Sequence, residues 1–246
     1  MNTLYFITIG TVVTSLISLI GIFFLRKSLR DKLSYYFISF AAGVMLTAAF
    51  IDILPEVQKQ SKNFNVFLPV LIGIIAFFFV ERFVIWFHHH DHSESSIKPS
   101  AILILIGDGL HNFFDGLAIA AAFLTGFGLG ITTTLAIIAH EIPHEIADFS
   151  VLINGGFSNT KALFFNFLSA LTAILGGILG FYFLKDLQKL TPLALAFTAG
   201  TFIYIACSDL IPESHKDFRE QRKWIQSFSF VAGIIAIYLV VTFIEH

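Results

Sequence analysis

The residues of this chain that are best suited to chemistry are two histidines and a glutamate in the segment AHEIPHEIADF, residues 139–149. His140, Glu141 and His144 match the H-E-x-x-H pattern, in which two histidines one helical turn apart hold zinc and the glutamate activates water. The pattern alone leaves two functions open, a metallopeptidase and a protein that binds or moves the metal. The surrounding sequence has to decide between them.

A second polar cluster lies in GDGLHNFFDGLAIA, residues 107–120. At about 100° per residue, its polar side chains share one helical arc of about 100°; they are Asp108, His111, Asn112 and Asp115. The arc of the first cluster is about 140° wide and also contains Glu145 and Asp148. Imidazoles suit zinc, and carboxylates widen the choice toward iron(II) and manganese.

Both clusters lie in a strongly apolar chain. Of its 246 residues, 56 % are hydrophobic and 13 % are charged, and the mean hydropathy is +0.82. Because soluble domains carry roughly 25 % charged residues, this composition indicates a membrane protein with the lipid bilayer as a partner. The net charge of −2 argues against a nucleic-acid partner. The single cysteine, Cys207, excludes an intrachain disulfide.

Eight apolar runs are about 20 residues long, which is enough to cross a hydrocarbon core of ~30 Å. The sequence therefore predicts an all-α membrane protein with eight transmembrane helices, forming one transmembrane domain over residues 1–246. A histidine-bearing loop at 88–98 lies within it. The polar clusters fall near the middle of spans 4 and 5, at matching depth. The predicted spans are about 3–25, 34–54, 66–87, 100–125, 129–153, 161–183, 191–212 and 224–244.

The basic residues are distributed unequally between the two sets of predicted loops. Eleven of the 15 Lys and Arg residues fall on the side of the histidine-bearing loop. An excess of Lys and Arg marks the cytoplasmic side of a membrane protein. We therefore expect an integral protein of the cell (inner) membrane, with both termini on the extracytoplasmic side.

Two segments of the chain resemble each other although they cross the membrane in opposite directions. AAGVMLTAAFIDILPE (41–56) and TAGTFIYIACSDLIPE (198–213) share six of sixteen residues and both end in D-x-x-P-E. Similar segments of opposite orientation are typical of the inverted repeats of secondary transporters. We predict two inverted three-helix repeats, spans 1–3 and spans 6–8, around a central pair, spans 4 and 5.

Acidic residues at mid-membrane depth need compensation. Each costs ~2.5–3.5 kcal/mol on insertion scales, so the acids of spans 4 and 5 require metal, water or mutual hydrogen bonds. Polar groups can also act only as contacts between helices, but nine of them on two facing arcs make that function alone improbable. Asp108 and Asp148 either extend the polar strip toward the cytoplasm or orient a ligand histidine. Glu145, at the edge of its arc, contacts either the metal or a neighbour.

The motifs His111-Asn112-x-x-Asp115-Gly116 and His140-Glu141-x-Pro143-His144-Glu145 together resemble the ZIP family of divalent-metal transporters. The resemblance covers essentially the whole chain. It implies a metal site between spans 4 and 5, often with two ions, that moves zinc or related ions into the cytoplasm. A homodimer is common for such proteins. Further contacts are implied for Met45 and Asn166, and the ligands carried over by position are His111, Asn112, Asp115, His140, Glu141 and His144.

Other polar residues suggest a passage to and from this site. Asp52 and Glu56, at the outer end of span 2, are expected to attract cations, and Asp209, Glu213 and His215 to receive them on the cytoplasmic side. The alternative for these residues is an ordinary solvated helix end. The loop histidines either capture metal or belong to a hydrophilic linker; they are His88, His89, His90 and His92.

The chief alternative to transport is an intramembrane zinc metalloprotease that uses His140, Glu141 and His144. A proline, Pro143, lies between the two histidines and should kink the helix. About six candidate ligands are present, whereas a catalytic zinc keeps one position open for water. We therefore predict a transporter without catalytic residues, whose substrate is Zn²⁺ or else Fe²⁺, Mn²⁺ or Cd²⁺. A metal sensor and a purely structural membrane protein are further alternatives.

Overall fold

The computed structural model describes residues 2–24, 27–60, 65–88, 99–212, 214–215 and 224–244. Within these ranges the chain is helical and contains no strand. The α-helices are α1 (Thr3–Phe24), α2 (Lys27–Thr47), α3 (Leu54–Gln60), α4 (Phe67–His88), α5 (Pro99–Thr125), α6 (Phe127–Asn154), α7 (Asn159–Ala170), α8 (Thr172–Asp186), α9 (Thr191–Ile205) and α10 (Ile225–Ile244).

Among the described residues, three helical stretches are long and apolar enough to cross a membrane, judged by length and composition. They are Tyr36–Gln60, Asn159–Asp186 and Thr191–Leu210, with hydropathies of 2.1, 2.0 and 1.6. Large apolar side chains lie on the outer surface, including Phe79 (62 % exposed) and Phe243 (78 %). Polar side chains are buried inside. This arrangement is that of a protein whose surface faces lipid.

Two predicted spans contain a π-helical segment that the sequence did not reveal. Residues Ala48–Ile53 connect α2 to α3, and residues Ala206–Leu210 continue α9. The segments lie at corresponding positions of the two similar sequences, and they contain Asp52 and Asp209. π-Helical turns often occur at functional sites. Cys207, in the second segment, is exposed.

Predicted span 6 also differs from a single straight helix. It is divided at Leu171 into α7 and α8. The Thr172 hydroxyl, directly after the break, donates to the carbonyl oxygen of Gly109 in α5 at 2.6 Å. In contrast, α6 stays α-helical from Phe127 to Asn154, through Pro143.

Glycines bring pairs of helices into backbone contact. α2 packs on α10, and α4 packs on α9. A Cβ atom on Gly43 would lie 2.2 Å from the carbonyl oxygen of Phe230, and one on Gly233 would lie 2.2 Å from that of Phe40. The second pair has the same arrangement, because Cβ atoms on Gly200 and Gly73 would lie 2.1 and 2.3 Å from the carbonyl oxygens of Val70 and Phe197. No residue other than glycine fits such a close approach.

The inner helices are α5 and α6, which are joined by Gly126 alone and therefore run in opposite directions. α5 packs on α8, and α6 packs on α1. Glycine again permits the closest contact, since Cβ atoms on Gly116 and Gly176 would lie 2.0 and 2.1 Å from carbonyl oxygens of the facing helix. This packing surrounds the polar residues of α5 and α6 with protein.

Candidate metal centre

Four potential ligand side chains converge between α5 and α6. His111 and Asp115 come from α5, and His140 and Glu141 from α6; their exposures are 6, 3, 0 and 1 %. The two Nε2 atoms lie 3.1 Å apart. His111 Nε2 lies 3.6 Å from Asp115 Oδ2 and 3.2 Å from Glu141 Oε1, and His140 Nε2 lies 3.2 and 3.4 Å from the same two oxygens.

These separations match the edges of a tetrahedron around a small cation. With zinc–ligand bonds of 2.0–2.2 Å, a regular tetrahedron has ligand–ligand edges of about 3.3–3.6 Å. Five of the six edges are given above, and they run from 3.1 to 3.6 Å, which is within about 0.2 Å of that range. The four atoms are therefore spaced as two nitrogen and two oxygen ligands of one ion would be.

The protonation and bonding of these side chains fit a cation as well. His140 Nδ1 lies 3.1 Å from the carbonyl oxygen of Ala136. Because a carbonyl only accepts, Nδ1 carries the proton and Nε2 presents its lone pair to the centre. Asp115 Oδ2 and both Glu141 carboxylate oxygens are buried and accept no hydrogen bond. Buried carboxylate oxygens without a donor are costly unless a cation neutralises them.

His144 lies outside this group of four and belongs to a second one. Asp108, His144 and Asp148 present one ligand atom each, all within 4.8 Å of one another. His144 Nε2 lies 3.5 Å from Asp148 Oδ2, and the two side chains are 35 and 13 % exposed. The His111 and His144 rings make an edge contact with centroids 4.8 Å apart, so the groups adjoin. The second group is the more accessible one.

Asn112, a predicted ligand, directs its amide nitrogen at Asp108. Asn112 Nδ2 donates to Asp108 Oδ1 at 2.8 Å and to the Asp108 carbonyl oxygen at 3.2 Å. The Ser169 hydroxyl of α7 donates to the other carboxylate oxygen of Asp108. Two donors thus fix the orientation of the Asp108 side chain within the second group.

Three further candidates lie around these groups. Glu145 is fully buried and accepts a hydrogen bond of 2.5 Å from Asn166 Nδ2. Its Oε1 atom and Asn166 Oδ1 have no hydrogen-bond partner. Met45 of α2 is fully buried in the apolar core.

A cavity of about 260 Å³ adjoins the second group. Asp209, which is exposed, contributes to its wall. His215 lines a different cavity, of about 250 Å³, together with Ser39 and Ser214. Glu213 and the loop residues His89, His90 and His92 lie outside the described residues, as does the side chain of His88. The first cavity is lined by Phe77, Val80, Glu81, Gly107, Asp108, His111, His144, Asp148, Tyr204, Ile205 and Asp209.

The acids of predicted span 2 have a different environment. Asp52 is 5 % exposed and accepts a hydrogen bond from the Thr132 hydroxyl of α6. Glu56 is partly exposed and pairs with Lys59, 3.3 Å away, and Gln60, 2.8 Å away. Asp52 is therefore enclosed by protein, whereas Glu56 forms a surface pair.

Sequence reasoning overlooked two residues of the first cavity, Glu81 and Tyr204. The Tyr204 hydroxyl donates a hydrogen bond to Glu81. Glu81 had a signal in the sequence, since it is the only acid in predicted span 66–87, and an ionisable residue inside a membrane segment indicates function. Tyr204 had none, because tyrosines are frequent in membrane helices.

The chain matches a family of known proteins over most of its length. A family model described as ZIP Zinc transporter matches residues 2–99 and 87–241. The chain belongs to the ZIP zinc transporter family. It is thus an integral membrane protein of a family of transporters, and the resemblance predicted from the two motifs is confirmed.

Several relatives of known name match this chain. Zinc transporter ZIP10 of Danio rerio is 38 % identical over 160 residues, which are 62 % of this chain and 19 % of the relative. Zinc transporter ZIP13 of Pongo abelii is 31 % identical over 227 residues, 85 % of this chain and 67 % of the relative. Metal cation symporter ZIP14 of Xenopus tropicalis is 43 % identical over 135 residues, 55 and 29 % of the two chains. The aligned part spans about a fifth of the length of relatives such as ZIP10.

Proposed function

We propose that this chain transports divalent metal cations across a membrane through the centre between α5 and α6. The observation that carries the proposal is the set of four buried ligand atoms at near-tetrahedral spacing, together with three oxygens of the Asp115 and Glu141 carboxylates that lack a hydrogen bond. A protein interior tolerates such oxygens when a cation is bound. The cation is the substrate of this protein and not a resident cofactor.

Zinc is the substrate that the centre fits best. Two imidazole nitrogens and two carboxylate oxygens form a common four-coordinate zinc set. Fe²⁺, Mn²⁺ and Cd²⁺ are further substrates, since carboxylates also accept them. The relatives described as zinc transporters and as a metal cation symporter support this substrate class.

A second ion position lies at Asp108, His144 and Asp148. This group adjoins the first and lines the 260 Å³ cavity, so a cation leaving the buried centre would reach it next. The antiparallel order of α5 and α6 accounts for the two groups. Along α5 the chain passes Asp108 before Asp115, whereas along α6 it passes His140 before Asp148. Two ions per site follow if both groups are filled together.

The fold we propose has eight transmembrane helices, with spans 1–3 and 6–8 as inverted repeats. The paired glycine contacts support it, because Gly43 and Gly200 occupy equivalent positions of the similar sequences and each meets its partner helix in the same way. Both termini lie outside the cytoplasm, and the cations move inward across the cell (inner) membrane. A homodimer and metal capture by the loop histidines stay predictions.

Proteolysis is not favoured as an alternative. The family matched is one of transporters and not of enzymes. The buried centre also supplies four protein ligand atoms to one ion. A catalytic zinc instead keeps an open position for the attacking water. Glu141 therefore acts as a ligand and not as a catalytic base.

Flux of radiolabelled zinc into proteoliposomes tests this function. We expect saturable flux for the unmodified protein and none for His111→Ala or Glu141→Gln, because each substitution removes one of four ligands. Tyr238→Phe, an exposed position, is the control and should keep full flux. Zinc flux that survives both ligand substitutions would contradict the assigned centre. Cleavage of a membrane-helix substrate without flux would contradict transport itself.

A further inference from the structure

Two residues that line the cavity beside the metal centre have no role in the proposed path of the cation. They are Glu81 of α4 and Tyr204 of α9, and the Tyr204 hydroxyl donates a hydrogen bond to Glu81 Oε2. The two residues are 123 positions apart in the sequence. Their bond is therefore a tertiary contact between two helices, at the surface that a departing cation passes.

The Glu81 carboxylate has no cationic partner in the described part of the chain. No Lys, Arg or His side chain described there forms an ion pair with it. Its cavity neighbours include the apolar Phe77, Val80 and Ile205 and a second acid, Asp209, which adds to the negative charge of the cavity wall. In such surroundings a carboxylate interacts strongly with any cation that enters the cavity. Glu81 therefore draws a metal ion away from the second group.

Tyr204 limits how strongly Glu81 can hold that ion. A hydrogen bond from a phenol to a carboxylate is charge-assisted and occupies one of the oxygens. The bond also restrains the side chain against the cavity wall, and a metal that binds this oxygen has to compete with the phenol for its electron density. A carboxylate restrained in this way attracts a cation but releases it easily.

We infer that Tyr204 is a positioning residue for metal release, which sets the strength with which Glu81 attracts the departing cation. This inference deepens the proposed transport function and rests on it. Glu81 supplies the charge that empties the second group. Tyr204 prevents Glu81 from becoming a trap for the ion, so the two residues have opposite effects on how long the ion is retained.

The two substitutions therefore have different kinetic signatures. Glu81→Gln removes the attraction, and we expect the maximal zinc flux to fall about tenfold with little change in KM. Tyr204→Phe frees the carboxylate, and we expect the maximal flux and KM to fall together, because the ion is bound more tightly and leaves more slowly. Glu81→Asp, which keeps the charge, should recover part of the flux.

The experiment measures zinc flux into proteoliposomes over a range of zinc concentrations, with equilibrium zinc binding in detergent measured on the same preparations. The variants are Glu81→Gln, Glu81→Asp, Tyr204→Phe and the double variant Glu81→Gln/Tyr204→Phe. The controls are Tyr238→Phe and Asp186→Asn, which change exposed residues of the same types. In the double variant the freed carboxylate is absent, so we expect the behaviour of Glu81→Gln alone.

Each outcome decides one statement. If Tyr204→Phe leaves KM unchanged, or lowers flux equally with and without Glu81, Tyr204 acts only on structure and the inference is wrong. If Glu81→Gln keeps full flux, Glu81 does not draw the ion. If the unmodified protein binds zinc but shows no flux, the transport function fails, and the release function fails with it. If the unmodified protein shows normal flux and the variants have the same maximal flux and KM, only the release function is overturned.

Discussion

Asp52 and Asp209 hold the same position in two similar sequences, yet their surroundings differ. Each lies in a π-helical segment and begins a D-x-x-P-E motif. Asp52 is 5 % exposed and bonded to Thr132, whereas Asp209 is exposed and lines the cavity that leads to the second metal group. Two acids at equivalent positions of similar sequences therefore differ in their exposure. Asp52 is enclosed by protein, whereas Asp209 is open to a cavity.

The largest expected effect concerns the buried group of four candidate ligands, compared with the more open second group. His140→Ala removes a buried ligand of the four-atom group, so we expect zinc affinity to fall by about 100-fold or more. His144→Ala affects the more open group and should cost about tenfold. Equilibrium zinc titration of the purified protein measures both. Equal losses for the two variants would mean that the groups act as one site, and the difference between a buried and an open group would disappear.

The glycine contacts test whether the two halves are built alike. Gly43→Ala and Gly200→Ala each introduce a methyl group within 2.2 and 2.1 Å of a backbone oxygen. We expect each to lower the free energy of unfolding by at least about 1–3 kcal/mol, since backbone cannot move aside as a side chain does. Thermal unfolding in detergent is the measurement. Gly126→Ala, which would meet nothing within 4 Å, is the control and should change little.

The hydrogen bond from the Thr132 hydroxyl to Asp52 can be removed by Thr132→Val. A buried carboxylate then loses a donor, and we expect a loss of about 1–3 kcal/mol of stability. Asp209 is exposed, so Asp209→Asn should change the free energy of unfolding by less than about 0.5 kcal/mol. Chemical denaturation compares the two. A similar cost at both acids would contradict the contrast in burial. If Asp52→Asn and Asp209→Asn both keep normal uptake at low zinc, neither acid belongs to the passage.

The smallest effect is expected at Glu56. Its ion pair with Lys59 joins a side chain that is 65 % exposed to one that is 28 % exposed, and such pairs contribute at most about 1 kcal/mol. Glu56→Gln should therefore leave stability unchanged. A role in attracting cations would appear as lower zinc uptake at low ionic strength only, because salt screens exposed charges. Unchanged uptake at every salt concentration would assign Glu56 to an ordinary helix end.

Much of the fold and of the site follows from the sequence, and the limits have physical reasons. Hydrophobic runs locate helices, and the 100° spacing brings His111 and Asp115 to one face. The prediction grouped the polar residues of spans 4 and 5 by their depth alone, so it assigned His140 and His144 to one site, whereas the structure places them in two groups. The two groups arise because α5 and α6 run in opposite directions. The later Asp115 of α5 therefore meets the earlier His140 of α6, and the earlier Asp108 meets the later His144.

Contacts between distant segments were beyond sequence reasoning. Even within one helix, sequence reasoning did not find that the Asn112 amide nitrogen donates to Asp108, one turn earlier; metal binding by Asn112 stays a prediction. The bonds of Thr132 to Asp52 and of Tyr204 to Glu81 join helices whose facing sides only packing decides. The π-helical segments add one residue to a turn, and nothing in their composition distinguishes them from α-helix.

The position of Cys207 has a practical consequence. It is the only cysteine of the chain, it is exposed, and it lies two residues from Asp209. A maleimide fluorophore would therefore attach at one known point of the second π-helical segment, without prior removal of other thiols. Its emission would report the hydration of that region as zinc is added. The chain thus offers a single attachment point for an optical probe of this π-helical segment.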